Sequence, residues 1–281
     1  MSKPLPAFLA ALILIFAAAT AQAQQIDPTN KGDMTFTRLD VSSICPDCSV
    51  VQAKGEFTKK TMDEYRNFVW KERFKKNIYF VFDSNGGTIK SAIELGLVMR
   101  TLKVNTIVGR ASIRNGEIEI DPANCASACV LAYAGGVTRS MPQGSKLGIH
   151  RWAPLDSESG DGKKKNSKPQ LMDEEGVAIV QKQVALHLKY FQMMGIDLRI
   201  AIPLLETPYS SITWITPKDR SLWNLVTIDS KLSTPADRRR PILFLPVTQP
   251  IPGKPTPGQD KLPSNANTAH RLATEALPSA L

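Results

Sequence analysis

Beyond residue 23, the sequence has no apolar run that approaches the roughly 20 residues needed to cross a membrane. It also lacks a basic stripe interleaved with aromatic residues, the pattern expected of a nucleic-acid binder, although the formal net charge is +9. Seven basic and three acidic residues from Lys231 onward account for +4 of that charge. No internal repeat is present, which argues against a solenoid or a propeller. We therefore expect a globular protein with no nucleic-acid partner.

The N-terminus, before residue 24, contains one apolar run. Lys3 precedes an apolar stretch at 8–19, and the small residues Ala21 and Ala23 follow it. A short basic region, an apolar core of this length and a small-x-small cleavage pattern are typical of a secretory signal peptide. We expect residues 1–23 to be removed and the mature protein to be exported, to the periplasm or outside the cell, with no membrane span left.

Cysteine is scarce, and its four copies lie in two close pairs, Cys45/Cys48 and Cys125/Cys129. An exported protein enters an oxidising compartment, where disulfides form and persist. Four cysteines allow three connectivities, of which local pairing is the simplest. A redox role for the first pair is disfavoured because no helix pattern follows it at once. A zinc site is disfavoured because no ligand histidine lies beside the second pair. We expect disulfides, no metal and no cofactor.

Strand and helix patterns alternate along the main part of the chain, which indicates an α/β fold with a mostly parallel sheet. Thr216 and Pro217 fit the N-cap and the first residue of a late helix. A hairpin is expected at 114–117. Residues 222–226 are expected to lead into a final strand. The predicted strands cover 49–57, 77–82, 104–108, 146–152 and 212–215, and the predicted helices cover 58–71, 88–102, 128–134, 171–194 and 197–206.

Composition divides the chain into two parts after the signal peptide is set apart. Residues 24–229 are expected to form one α/β domain. Glycine, serine and a lysine run predict a mobile loop at about 155–168 within it. Nine of the twenty prolines lie beyond residue 230, so residues 230–281 are expected to form a disordered tail.

One serine, Ser127, lies among small residues just before an apolar run that suits a buried helix. The N-terminus of a helix presents free N–H groups and the positive end of the helix dipole. A serine there can act as a nucleophile if a base lies nearby and two N–H groups face the oxyanion. The alternative is that Ser127 only caps a tightly packed helix.

Two further features stand in order around this serine. Gly86 and Gly87 close a buried strand and open a helix, a turn that exposes backbone N–H groups and allows another group to approach closely. His150 follows Ser127 at the end of a short predicted strand. A glycine pair is usually a simple turn and a single histidine is usually structural, but the ordered combination predicts a nucleophile, a base and an oxyanion site.

These motifs resemble the proteolytic subunit of the Clp protease. Four segments carry the resemblance, which covers about 50–228 of the chain. They are the turn Phe82-Asp83-Ser84-Asn85-Gly86-Gly87, the segment from Cys125 to Gly136, the strand Gly148-Ile149-His150 and the segment from Trp214 to Val226. The best fit is to exported ClpP-like proteins with a C-x-S-x-C serine motif. The resemblance implies a ClpP/crotonase-like spiral of ββα units, and self-association by analogy with the trimers and heptameric rings of related folds.

The resemblance also implies roles for individual residues. Ser127 would be the nucleophile and His150 the general base, while N–H groups of Gly86 or Gly87 and of Ala128 would form the oxyanion hole. The chain departs from the family where a catalytic aspartate is expected, because residues 210–213 contain no carboxylate. The hydroxyls of Ser211 and Thr213 are candidates for orienting the His150 ring instead.

Three functions follow from this comparison. The first is an exported serine hydrolase, a peptidase acting on peptides or proteins. The second is a ClpP-fold protein that has lost its chemistry and serves as a binding or assembly module in the periplasm. The third, a crotonase-type acyl-CoA enzyme, is disfavoured because CoA chemistry belongs in the cytoplasm and a Ser/His pair is not its usual equipment.

Overall fold

A computed structural model of the chain describes residues 30–152 and 174–228. The predicted signal peptide, the predicted mobile loop and the predicted disordered tail lie outside the described residues. A short 3-10 helix, Leu198–Ile200, precedes the fifth α-helix. The strands are β1 (Thr35–Leu39), β2 (Cys48–Lys54), β3 (Asn77–Asp83), β4 (Asn105–Val108), β5 (Arg110–Arg114), β6 (Glu117–Asp121), β7 (Asn124–Ala126), β8 (Thr138–Ser140), β9 (Lys146–Ile149) and β10 (Thr213–Trp214). The helices are α1 (Thr61–Lys71), α2 (Ile89–Thr101), α3 (Ala128–Ala134), α4 (Glu174–Met193), α5 (Ala201–Glu206) and α6 (Pro217–Leu222).

The main sheet has five strands in the order β1-β2-β3-β4-β8. β1 runs antiparallel to β2, and the other three pairings are parallel. Consecutive residues of the central strand, such as Phe80, Val81 and Phe82, are all buried, because helices or other strands cover both faces of a parallel sheet. The fold is thus mixed α/β with a mostly parallel sheet, and this prediction is confirmed.

A second set of pairings begins where the strands of the main sheet end. Phe57, after β2, pairs with Gly87, after β3, and Ser84 pairs with Cys125 of β7. β7 in turn pairs in parallel with β9, and β10 pairs with the other side of β9. The chain therefore repeats a long strand, a short strand segment and a helix, as in a spiral of ββα units.

The predicted hairpin at 114–117 is confirmed as the turn between β5 and β6. Arg114 pairs with Glu117, which leaves a two-residue loop. Both loop residues, Asn115 and Gly116, have a positive φ, of 53° and 77°. Asn-Gly supplies this backbone conformation at little steric cost, which is why the dipeptide is favoured in two-residue hairpins.

Helices α2, α3 and α4 cross closely above the sheet. A β-carbon on Gly96 of α2 would lie 1.9 Å from the Tyr190 hydroxyl oxygen, and one on Gly135 would lie 2.2 Å from the Gly96 carbonyl oxygen. The Tyr190 hydroxyl donates a 2.6 Å hydrogen bond to the Leu131 carbonyl oxygen. This contact fixes α4 against α3, the helix that follows Ser127.

The final strand predicted after 222–226 does not begin within the described residues, which end at 228. Residues 223–228 form turns, with the Leu225 N–H donating to the Arg220 carbonyl and the Thr227 N–H donating to the Arg139 carbonyl. Arg139 is buried and its guanidinium donates to the carbonyl oxygens of Leu225 and Asn224. These two carbonyls accept from a side chain and not from a neighbouring strand. None of the helices in the described ranges has both the length and the apolarity that a membrane span requires.

Candidate active site

Ser127 occupies the junction between β7 and α3. Its φ and ψ are 55° and −126°, a backbone conformation that non-glycine residues rarely adopt. The Ser127 N–H donates a 2.8 Å hydrogen bond to the Gly148 carbonyl of β9, which fixes the turn to the strand that precedes His150. Its side chain shows no helix-capping hydrogen bond, so the capping role is not observed and the hydroxyl is free for another function.

A disulfide closes this turn. Cys125 in β7 and Cys129 in α3 are bonded, with their Cα atoms 5.2 Å apart, and both are fully buried. Cys45 and Cys48 form the second local disulfide. The simplest of the three connectivities is therefore confirmed. With their thiols joined, the cysteines offer no thiolates to a zinc ion, and no cluster of three potential metal ligands occurs in the described part of the chain.

The glycine turn lies directly against Ser127. A β-carbon on Gly86 would lie 2.6 Å from Ser127 Cβ and 3.1 Å from the Ala128 nitrogen, so only glycine fits there. The Gly86 N–H already donates to the Ser84 hydroxyl oxygen over 3.2 Å. The N–H groups of Gly87 and Ala128 have no acceptor among the described residues, and Ala128 is the first residue of α3. Of the three predicted oxyanion donors, Gly87 and Ala128 are thus available.

A cleft that is open to solvent lies beside Ser127. The cleft is lined by Ser127, Ala128, His150 and a second histidine, His187. Neither glycine of the turn lines it. The rest of the lining is apolar and includes Ile89, Val130, Leu131, Trp152, Phe191 and Leu204. Ser127 and His150, far apart in sequence, therefore share one cleft because parallel pairing of β7 with β9 ends both strands at the same edge.

His150 is half-buried just beyond β9, and burial lowers the pKa of its imidazole. Backbone groups of Tyr209 and Arg151 oppose that shift. The Nδ1 atom is buried and has no hydrogen-bond partner within 30–152 and 174–228. The Tyr209 ring packs on the imidazole, with 5.3 Å between centroids. Burial therefore favours the neutral imidazole, and the Tyr209 ring packs against it.

The two hydroxyls predicted to orient His150 have other partners in the structure. The Ser211 hydroxyl donates to the Pro208 carbonyl over 3.2 Å, and the Thr213 hydroxyl lies 2.7 Å from that of Thr207. The nearest acidic residues in sequence do not take their place. Asp197 pairs with Arg199, which lowers the pKa of its carboxyl to about 2, and Glu206 is exposed at the end of α5.

His187 is the residue that sequence reasoning missed. It lies on α4, is 95% buried, and stacks on Trp152 with 4.8 Å between ring centroids and 12° between planes. The apolar spacing of this helix in the sequence predicts a core face at 177, 180, 184, 188 and 191, but Val177 is exposed and Phe191 is the member of that set that is fully buried. The buried face instead runs through His187, Tyr190, Phe191 and Met194. Those residues have the i, i+3, i+4, i+7 spacing of a helix face, which was readable from the sequence once a histidine was allowed on it.

Comparisons with known proteins add the following. No family model matches the chain, and no curated protein matches it. The fold is similar to two solved structures of 1510-N, a membrane-bound stomatin-specific protease: a serine-to-alanine mutant, and a lysine-to-alanine mutant in complex with a substrate peptide. Both are 16% identical to the chain, with TM-scores of 0.42 and 0.41. The matches cover 65% of this chain and 77% and 73% of those chains.

Proposed function

We propose that this protein is an exported serine hydrolase that cleaves peptide bonds. The observation that carries the proposal is the backbone of Ser127, held at a φ of 55° between a strand and a helix with its side chain on a cleft. Strain of this kind costs about 1–3 kcal/mol and persists only where surrounding structure enforces it. Here the disulfide, the Gly148 carbonyl and Gly86 enforce it.

Ser127, Ala128 and His150 line the cleft, and Gly87 belongs to the glycine turn beside Ser127. The Ser127 hydroxyl attacks the carbonyl carbon of the substrate while His150 accepts its proton. The developing oxyanion lies near the start of α3, where the free N–H of Ala128 donates, and the N–H of Gly87 is the second donor. Protonated His150 then gives its proton to the leaving nitrogen, and the C–N bond breaks. Water then attacks the acyl ester on Ser127 while His150 accepts its proton, the ester C–O bond breaks, and His150 returns the proton to the Ser127 oxygen as the acid product leaves.

One observation favours the alternative of a binding or assembly module that has lost its chemistry. The Nδ1 atom of His150 has no partner in the described ranges, and a carboxylate would normally occupy that place. A base without this partner is less well oriented and stabilises its charged form less. Reduced catalysis is therefore expected of the hydrolase, and none at all of the module.

Export and self-association are further parts of the proposal. Export rests on the pattern of residues 1–23, and two disulfides are consistent with an oxidising compartment. Sequencing the N-terminus of protein recovered from the periplasmic fraction tests export. Self-association rests on analogy alone, and sedimentation of the purified protein tests it.

Hydrolysis of a peptide library by the purified mature protein tests the proposed activity. The wild type is expected to cleave a subset of peptides, and Ser127→Ala is expected to cleave none. A wild type that folds with both disulfides intact and leaves the library uncut supports the binding module instead.

A further inference from the structure

His187 stands in the cleft without a role in the reaction proposed above. Its Nδ1 atom lies 2.7 Å from the carbonyl oxygen of Gln183, one turn earlier in α4. A carbonyl oxygen can only accept a hydrogen bond, so Nδ1 carries the proton. The other ring nitrogen, Nε2, therefore keeps its lone pair and is a hydrogen-bond acceptor.

The protein keeps this acceptor in its neutral form. The side chain is almost fully buried, and burial lowers the pKa of the imidazole despite the hydrogen bond to the Gln183 carbonyl. Stacking against Trp152 fixes the plane of the ring. His187 thus presents one acceptor in a fixed direction, unlike a hydroxyl, which could rotate and also donate.

The surroundings of this acceptor limit what can reach it. Apart from Ser127 and His150, the side chains that line the cleft are apolar. The rings of Trp152 and His187 stack face to face, so each covers one face of the other, and Phe191 lies nearby on the buried face of α4. Aromatic rings such as these pack well against a further ring, either offset or edge to face. An aromatic side chain that carries its own donor satisfies both features at once.

We propose that His187 is a specificity-determining residue that selects tyrosine over phenylalanine in this cleft. The inference rests on the proposed function, because it assumes that the cleft holds a side chain of the peptide cleaved by Ser127. The tyrosine hydroxyl donates to Nε2 of His187 while its ring packs on the apolar lining. Phenylalanine fills the same space and leaves the acceptor unpaired, which lowers its affinity.

The test uses two substrates that differ by one oxygen atom, the p-nitroanilides of acetyl-Ala-Ala-Tyr and acetyl-Ala-Ala-Phe. The wild type is expected to favour the tyrosine substrate in kcat/KM by about tenfold, the effect of one net hydrogen bond. His187→Phe keeps an aromatic ring on Trp152 and removes the acceptor. This variant is expected to lose the preference, because the tyrosine substrate loses its acceptor and the phenylalanine substrate no longer leaves an acceptor unpaired.

A binding measurement separates this inference from the proposed activity. Ser127→Ala and the double variant Ser127→Ala/His187→Phe are titrated calorimetrically with acetyl-Ala-Ala-Tyr and acetyl-Ala-Ala-Phe. A tyrosine preference in binding that disappears with His187 supports the specificity role, even if the wild type hydrolyses nothing and the hydrolase is thereby overturned. Equal affinities for both peptides, or a preference that survives His187→Phe, overturn the specificity role whatever the activity.

Discussion

Gly86 lies so close to Ser127 that a β-carbon on residue 86 would stand 2.6 Å from the β-carbon of the serine. The same atom would lie 2.8 Å from the Ala126 carbonyl oxygen, and the φ of Gly86 is +108°. The glycine turn and the serine turn therefore depend on each other for their positions.

Gly86→Ala is expected to displace Ser127 and to abolish peptide hydrolysis. The positive φ alone costs about 1–3 kcal/mol for a residue with a β-carbon, and the clash adds to this cost. Gly32→Ala is the matched control, because Gly32 has a φ of +110° and an added β-carbon there has nothing within 4 Å. Urea unfolding and hydrolysis assays should show reduced stability in both variants but lost activity only in Gly86→Ala. Equal activity in the two variants would show that the contact with Ser127 is unimportant.

The Cys125–Cys129 disulfide is expected to matter for activity as well as for stability. Replacing both cysteines by alanine removes a short loop closure, worth about 2 kcal/mol in the chain-entropy description. Cys45→Ala/Cys48→Ala is the control, since it removes a loop of nearly the same length far from Ser127 in sequence. Hydrolysis should fall at least tenfold only in the 125/129 variant. If both variants retain full activity, the disulfide does not hold the serine turn.

Two histidines make stability depend on pH. Burial lowers the pKa of both His150 and His187, whereas in the unfolded chain each titrates near the ordinary value of about 6.5. Between the lowered pKa values and about 6.5, the unfolded chain binds more protons than the folded protein. The free energy of unfolding therefore rises with pH in that window and falls as the solution is acidified.

Urea unfolding at pH 5, 6 and 7.5 measures this slope. His187→Phe removes one of the two titrating groups, so the loss of stability between pH 7.5 and pH 5 should be smaller in this variant. An unchanged slope would mean that His187 does not titrate differently on folding.

The sequence allowed the general fold to be predicted because its strongest signals are local. Continuous apolar strands, the Asn115-Gly116 turn and the Thr216-Pro217 helix start are all confirmed, and Thr216 accepts a hydrogen bond from the Asp219 N–H. The short strands β7 and β8 were missed, because three residues are too few to show an alternating pattern. Their positions are set by pairing with β9 and β4, which are distant in sequence.

The site residues that stand in a recognisable local motif could be predicted from the sequence. The residues whose place in the site depends on tertiary packing could not. Ser127 and His150 were found and do line one cleft, as the strand pairing requires. His187 was not found, since a histidine breaks an apolar pattern and its stacking on Trp152 needs tertiary structure. The loss of Gly86 as an oxyanion donor depends on the Ser84 hydroxyl, a contact that no spacing reveals.

The crossing of α2 and α4 offers a test of how the region behind Ser127 is packed. Gly96→Ala places a β-carbon 1.9 Å from the Tyr190 hydroxyl oxygen, so it should destabilise the fold by about 1–3 kcal/mol. Tyr190→Phe removes that oxygen and its hydrogen bond to Leu131, which costs about 1 kcal/mol. The double variant should lose less stability than the sum of the two, because the clash disappears. Additive losses in urea unfolding would place the strain elsewhere.

The central claim is that Ser127 is an activated nucleophile, and its covalent capture tests this most directly. The folded mature protein is treated with a fluorophosphonate, digested and mapped by mass spectrometry, with Ser127→Ala in parallel. We expect one adduct per chain, located on Ser127, and none in the variant. An unmodified Ser127 in folded wild-type protein, or an equal adduct on the variant, would contradict the account.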